Sequence, residues 1–180
     1  MKRTILLTIM LLCVGINAHA QKTSEISMSY GRFSIPAVAF TIGGVLGTAF
    51  TLGSVVPDGS TGAANVEYDY NFNEDISIGA IASYEMFTMK YKSGEKTKNN
   101  FISIMPAFSY HWFVRDNFRM YSKVGIGAMV NISQSSKPTY SYAFQASPIG
   151  ADFGSQSFRG FLEAGIGFQG LLHGGIRFRF

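Results

Sequence analysis

The chain has 180 residues, of which 47% are hydrophobic, 14% aromatic and only 14% charged. This composition excludes intrinsic disorder, because a chain so apolar and so weakly charged can bury surface on folding. The single cysteine, Cys13, excludes a disulfide scaffold, and a formal charge of +4 is too small and too scattered to indicate nucleic-acid binding. One domain is the expectation at this length.

The first twenty residues predict a signal peptide that is cleaved on export. Residues 4–14 follow a basic start and form an uncharged run that is too short to span a bilayer as a helix. Ala18 and Ala20 supply small side chains at the two positions that signal peptidase reads, so the mature chain begins at Gln21. A lipoprotein signal at Cys13 is the alternative, and the large residue before that cysteine argues against it.

The mature chain alternates between apolar and polar residues with the period of a β-strand. The alternation is longest in 75–91, 118–132 and 158–169, where one parity is mostly apolar and the other holds glycine and charged residues. A dozen alternating residues exceed an ordinary globular strand. Tilted membrane-spanning strands of about ten residues fit this pattern.

Eight such segments predict an all-β fold, namely an eight-stranded antiparallel transmembrane β-barrel over residues 21–180. The predicted strands are 25–33, 64–72, 75–91, 101–114, 118–132, 140–153, 158–169 and 173–180. A bulge is predicted at Pro148, because proline cannot donate to the ladder. An even number of strands is what a closed bacterial barrel requires.

The connections alternate in length, and this alternation predicts the orientation. Short turns are predicted at 73–74, 115–117 and 154–156, and longer links at 34–62, 92–100 and 133–139, with a very short last link around Leu171 and Leu172. Outer-membrane barrels have short periplasmic turns and longer external loops. Both termini are therefore predicted to be periplasmic.

The inward parity predicts a charge network inside the barrel. Its members are Glu67, Asp69, Glu85, Arg119, Lys123, Arg159, Glu163, Arg177 and Arg179. Eight strands leave an interior that side chains just fill, and unpaired charges there are costly, so these groups should pair into a polar plug. An ion or proton path is the alternative.

The C-terminus resembles the outer-membrane assembly signal that the barrel insertion machinery reads. The residues that carry the resemblance are His173, Gly175, Phe178 and Phe180. The stretch 145–180 also resembles small outer-membrane barrel proteins common in Bacteroidota, and the architecture is similar to OmpA- and OmpX-type barrels. The resemblance implies an outer-membrane location and a barrel fold, and it transfers no active site.

The uncharged segment 33–57 does not fit the simple barrel, and three interpretations compete. It is a helix in the first external loop, an extra hairpin of 37–43 with 46–52, or a membrane-spanning helix. The loop helix is preferred, because strict alternation is absent and Ser34 suits a helix cap. A small-residue face for partner contact would consist of Ala39, Gly43, Gly47 and Thr51.

No catalytic, cofactor-binding or metal-binding residue is predicted. The glycine pattern at 165–170 matches a dinucleotide fingerprint by letter alone, because no helix can follow it. His111 has inward parity and predicts a buried, hydrogen-bonded luminal histidine, and two mature histidines are too few for a zinc site. The His-x-Ser-Asn-type motif of lipid A deacylases is missing. Three aromatic residues near a predicted turn, Tyr110, Trp112 and Phe118, predict an interfacial girdle.

The predicted function is that of an integral outer-membrane barrel with a structural or surface-interaction role, no enzymatic activity and no large pore. A lipid-modifying enzyme or a narrow channel is the alternative. The predicted partners are outer-membrane lipids and the barrel assembly machinery. Lipopolysaccharide phosphates could contact Lys90, Lys92, Lys96 and Lys98 by charge, although solvated loop lysines are the preferred interpretation.

Overall fold

The structure is a computed structural model that describes residues 23–39, 55–91, 96–134 and 137–180. The strands are β1 (Ser24–Arg32), β2 (Val55–Ser60), β3 (Ala63–Asn71), β4 (Ile76–Tyr91), β5 (Lys96–Arg115), β6 (Phe118–Ser133), β7 (Thr139–Gly154), β8 (Phe158–Gly167) and β9 (Leu172–Arg179). The predicted signal peptide, with its cleavage site at Ala18, Ala20 and Gln21, lies outside the described residues.

Eight of these strands close into an antiparallel barrel. The ring runs β1-β3-β4-β5-β6-β7-β8-β9, and β9 pairs with β1 to complete it. At the seam the backbones of Ser24 and Phe180 exchange two hydrogen bonds of 2.9 and 3.1 Å. The predicted all-β, eight-stranded antiparallel barrel is confirmed.

The distribution of polarity across the wall is inverted relative to a soluble protein. On β3 the outward side chains of Val66, Tyr68 and Tyr70 are 42–46% exposed, whereas the inward Glu67 and Asp69 are 3–4% exposed. A one-residue slip would exchange these two sets, so the alternation determines the register. The charged residues therefore line the lumen and the large apolar residues cover the outside.

β2 was not predicted, since residues 34–62 were expected to form a link. It continues the line of β3 beyond a break and pairs with the far end of β4, Val56 with Lys90 and Ser60 with Phe87. Its register shifts between Pro57 and Gly59. Proline is tolerated at such an irregularity, but it hides the strand from a search for alternation.

The start of the 33–57 segment is helical, as the loop-helix interpretation requires. Residues 35–39 form one helical turn, α1, whose Ala37 amide donates a 3.1 Å hydrogen bond to the Ser34 hydroxyl. The alternative hairpin is wrong at its first residues, because 37–39 are helical. In the described ranges, no helix has the length and apolar character needed to cross a membrane.

Apart from the irregularity of β2, the described parts of the eight barrel strands contain two bulges, of which one was predicted. At Pro148 the register of β7 shifts against both β6 and β8, and the Ser122 hydroxyl donates a 2.6 Å hydrogen bond to the Pro148 carbonyl. The second bulge, at Trp112, was missed; it turns both Trp112 and Phe113 outward. The predicted link 92–100 is also too long, because β5 begins at Lys96.

Candidate functional site: the barrel lumen

All nine residues that the sequence assigned to the lumen point inward. Eight of them are buried, and the Arg179 side chain is 24% exposed. The structure brings seven of the nine together with four residues that the prediction omitted. We call this set the turn-side network: Glu25, Glu67, Arg119, Tyr121, Lys123, Asp152, Arg159, Glu163, His173, Arg177 and Arg179.

The half of the network nearest the short turns is organised by two carboxylates. Arg119 donates to both oxygens of Glu25, at 2.8 and 3.0 Å, and to Asp152, at 2.7–3.1 Å. Asp152 also accepts from Arg159 at 2.8 Å and from Arg177 at 3.0 Å. Because these residues lie on β1, β6, β7, β8 and β9, charge-assisted hydrogen bonds cross-link five strands through the lumen.

The second half of the network centres on Lys123. Its Nζ lies 2.7 Å from Glu67 Oε2 and 2.8 Å from Glu163 Oε1, and Tyr121 donates a 2.7 Å hydrogen bond to the same Glu163 oxygen. His173 Nε2 lies 3.0 Å from Glu163 Oε2. These contacts add β3 to the strands that are joined across the lumen.

Arg177 connects the two halves. Its guanidinium bonds Asp152, lies 3.7 Å from Glu67 Oε1, and stacks 5.1 Å from the Tyr121 ring centroid and 4.8 Å from that of Phe161. A planar, permanently charged group of this kind suits a site that is both ion-paired and aromatic.

An apolar layer follows the network toward the ends of the strands that carry the longer links. It is formed by Ile81, Met105, Ala107, Ala143 and Phe168, with Met129 packed against them. Farther along, Phe87 and Phe101 meet edge to face with centroids 5.3 Å apart. Buried polar side chains lie beside this layer, because Gln169, the chain neighbour of Phe168, donates a 3.3 Å hydrogen bond to Glu67 Oε2.

Two predicted members form none of the ion pairs of the network: Glu85 lies apart from it, whereas Asp69 occupies the inward position of β3 next to Glu67. Glu85 is hydrogen-bonded by the hydroxyls of Ser34 and Ser60, and it forms no ion pair with the described residues. We call this group the Glu85 site; it attaches the start of α1 and the end of β2 to the wall. Asp69 is buried, and its Oδ1 has no hydrogen-bond partner in the described part of the chain.

Strand parity in the sequence could have identified some of the network residues that the prediction omitted. Glu25 shares the parity of other inward residues on its strand. Asp152 was hidden because the Pro148 bulge reverses the parity of the residues that follow it. Tyr121 has inward parity, and Gly150 directly across the ladder leaves room for its ring: a Cβ on Gly150 would come within 2.6 Å of it.

The remaining site predictions lie as follows. His111 is buried with its ring 5.4 Å from that of Tyr121, but the expected hydrogen bonding is incomplete, since its Nδ1 has no partner within the described ranges. In the predicted assembly signal, His173 points into the lumen, whereas Phe178 is outward and its ring centroid lies 5.0 Å from that of Phe158. Gly175 faces Ser29 across the seam.

The last two sequence predictions to compare with the structure are the aromatic girdle and the small-residue contact face. Tyr110, Trp112 and Phe118 are all exposed on the outside. Ala39 belongs to α1, and the other residues of the contact face, Gly43, Gly47 and Thr51, lie outside the described residues. Within the described ranges, no group of three potential ligands could hold a metal ion.

Comparisons with known proteins show the fold. No protein-family model matches the chain, and no curated protein matches it. Among solved structures, the chain is similar to the N-terminal β-barrel domain of Pseudomonas aeruginosa OprF, with a TM-score of 0.52 and 15% identity over 89% of this chain and 98% of that one. What the two share is the barrel. This likeness agrees with the expected resemblance to OmpA-type barrels; the Bacteroidota type stays a prediction.

Proposed function

We propose that this chain is an integral protein of the bacterial outer membrane with a structural or surface-interaction role, no enzymatic activity and no large pore. The observation that carries the proposal is the inverted polarity of a closed barrel whose lumen is filled by paired charges. Only helices and closed barrels satisfy every backbone group inside a bilayer, and this fold is the second kind.

The outside of the barrel supports a membrane location. Its exposed large side chains are aliphatic and aromatic, and aromatic residues concentrate near the short turns, as Trp112, Phe118, Phe153 and Phe158 illustrate. An apolar band bordered by aromatic residues is the surface that outer-membrane barrels present to lipid. The proposal places the short turns and both termini in the periplasm.

The inside of the barrel argues against a channel. Five carboxylates and five cations occupy the lumen on the turn side, and the apolar layer lies directly beyond them. The carboxylates are Glu25, Glu67, Asp69, Asp152 and Glu163, and the cations are Arg119, Lys123, Arg159, Arg177 and Arg179. Opening a wet path would separate buried ion pairs, which is strongly unfavourable.

The positions of the histidines argue against lipid-modifying chemistry. His111 and His173 both point into the lumen and are at most 3% exposed. An acid–base group can act on a membrane lipid only where the lipid reaches it, and burial in the lumen keeps lipids from both histidines. The proposal therefore assigns no catalytic residue.

Electrophoresis of the outer-membrane fraction, boiled against unboiled, tests the proposal. A closed barrel resists mild detergent when cold, so the unboiled sample should migrate as a compact species that heating converts to the unfolded mobility. Recovery in the inner membrane or soluble periplasm without a mobility shift would contradict it. Discrete conductance steps in planar bilayers would contradict the absence of a pore.

A further inference from the structure

The outer face of the barrel has a groove of about 520 Å³ between β1, β3, β4 and β5. Its floor is formed by Ala64 and Ala82, whose small outward side chains lie among larger neighbours. Its walls are Met28, Tyr84 and Ile102, which are 39–55% exposed. The groove is an apolar depression in the surface that the proposed function turns toward lipid.

Two lysines, Lys90 and Lys98, lie at outward positions of β4 and β5 beyond the groove. Lys90 pairs with Lys96 in the ladder, and Lys98 pairs with Thr88, two residues nearer the groove. Lys90 and Lys98 are exposed, and neither forms an ion pair with any described residue. Lys90 and Lys98 are diagonal neighbours on the same face of the ladder, and their like charges favour an external anion between them.

The distance from the groove to the lysines matches the distance between the apolar part and the charged headgroup of an amphipathic molecule. Tyr84 donates a 2.9 Å hydrogen bond to Asn100, and this polar pair separates the apolar groove from the lysines. Tyrosine at this position is typical of the membrane interface. Lys98 lies four residues beyond Ile102, the ladder partner of Tyr84, which corresponds to about 10 Å along the membrane normal for a tilted strand.

We propose that the groove and the lysines beyond it form a binding site for one phosphate-bearing lipid of the outer leaflet. An acyl chain lies against Ala64 and Ala82, and the phosphate lies between Lys90 and Lys98. The inference rests on the proposed outer-membrane function, because only that location exposes the groove to acyl chains. Charge complementarity and the apolar groove together select a lipid over a soluble anion.

The headgroup half of the site is tested by native mass spectrometry of the full chain in detergent, titrated with diphosphoryl lipid A. A lysine near an anionic lipid surface strengthens binding by about five-fold. We therefore expect about five-fold weaker binding when either lysine is removed, and about twenty-five-fold weaker binding for Lys90→Gln combined with Lys98→Gln. The matched control is Lys137→Gln, which removes an exposed lysine of the link between β6 and β7 and should change affinity less than two-fold. Dephosphorylated lipid A should bind the native protein about as weakly as the diphosphoryl form binds the double variant.

The acyl half is tested by filling the groove. Ala82→Phe should weaken the binding of both lipids by about fifteen-fold, which corresponds to lost contact with about two methylene groups. Ala128→Phe is the control, because Ala128 is also an exposed outward alanine, on β6, and does not line the groove. This control should leave the affinity unchanged.

Three results would overturn the inference. They are equal binding by the double lysine variant and the Lys137 control, equal binding of the phosphorylated and dephosphorylated lipids, and displacement of the lipid by inorganic phosphate alone. Each preparation is also run cold and heated on a gel. A preserved mobility shift with any of these results refutes the lipid site alone, whereas a native protein without the shift refutes the outer-membrane barrel itself.

Discussion

The turn-side network and the Glu85 site fill the same lumen in different ways. In the network, Asp152 accepts hydrogen bonds from three guanidinium groups on three other strands, and each of these contacts connects two strands of the barrel. Glu85 instead meets two hydroxyls, and each belongs to a segment beyond the main wall, Ser34 before α1 and Ser60 on β2. The turn-side network therefore stabilises the closed sheet, whereas the Glu85 site attaches the link between β1 and β2 to that sheet.

The largest effect should come from the centre of the network. Asp152→Asn leaves Arg119, Arg159 and Arg177 without their shared charge, and breaking a buried ion pair costs about 3–5 kcal/mol of unfolding free energy. Urea unfolding in detergent micelles, followed by the gel mobility shift, measures it. The control is Asp116→Asn in an exposed turn, which should stay within about 0.5 kcal/mol. Equal loss in the two variants would show that the network does not stabilise the barrel.

A double-mutant cycle sharpens the same comparison. Glu163→Gln and Lys123→Met each strand a buried charge, but together they remove both members of a 2.8 Å pair. We therefore expect the double variant to be more stable than the two single losses would predict, with a coupling of about 0.5–3 kcal/mol. The same urea titration measures the three variants. Strict additivity would mean that the two groups do not interact in the folded barrel.

A smaller loss is expected where a glycine makes room for the network. A Cβ on Gly150 would lie 2.6 Å from the Tyr121 ring, which also accepts the stacking of Arg177, so Gly150→Ala should displace that ring and cost about 1–3 kcal/mol. The comparison variant is Gly125→Ala, whose Cβ would come no nearer than 3.3 Å to a neighbour. Urea unfolding measures the stability of both variants, and Gly150→Ala should lose more than Gly125→Ala. If Gly125→Ala is the more damaging, the Tyr121 ring is not the limiting contact.

The strands could be predicted from the sequence because one physical rule acts along the whole wall. A residue faces either the apolar outside or the more polar lumen, so alternation over 118–132 predicted a strand that the structure places at Phe118–Ser133. The rule fails where the backbone departs from a regular ladder. Pro57 conceals β2, and the bulge at Trp112 turns two consecutive residues outward.

The luminal charges were predictable as a set, whereas their pairing was not. Parity alone turns Arg119 and Lys123 inward. It cannot show that Arg119 reaches Glu25, because those residues lie 94 positions apart and meet only after the barrel has closed. Asp152 was missed because a bulge whose position was predicted also reverses the parity beyond it.

The smallest effect on stability should come from the Glu85 site. Glu85→Ala removes the acceptor of two hydroxyls but breaks no ion pair, and the exposed Ser60 can turn to water, so the expected loss is about 1 kcal/mol, mostly from the buried Ser34 hydroxyl. Its main consequence should instead be faster proteolysis of the link between β1 and β2, measured by limited digestion of the folded barrel. Glu85→Gln retains one acceptor oxygen and should lie between the alanine variant and the native protein.

Glu74→Ala, in an exposed turn, is the control for this experiment. If Glu85→Ala unfolds the barrel as readily as Asp152→Asn does, the two luminal regions perform one task and the comparison between them is wrong. If instead digestion of the link accelerates while the mobility shift stays intact, attachment of the first link is separable from closure of the sheet. The link could then detach without opening the ion-paired half of the lumen, because no Glu85 contact in the described residues involves a member of the turn-side network.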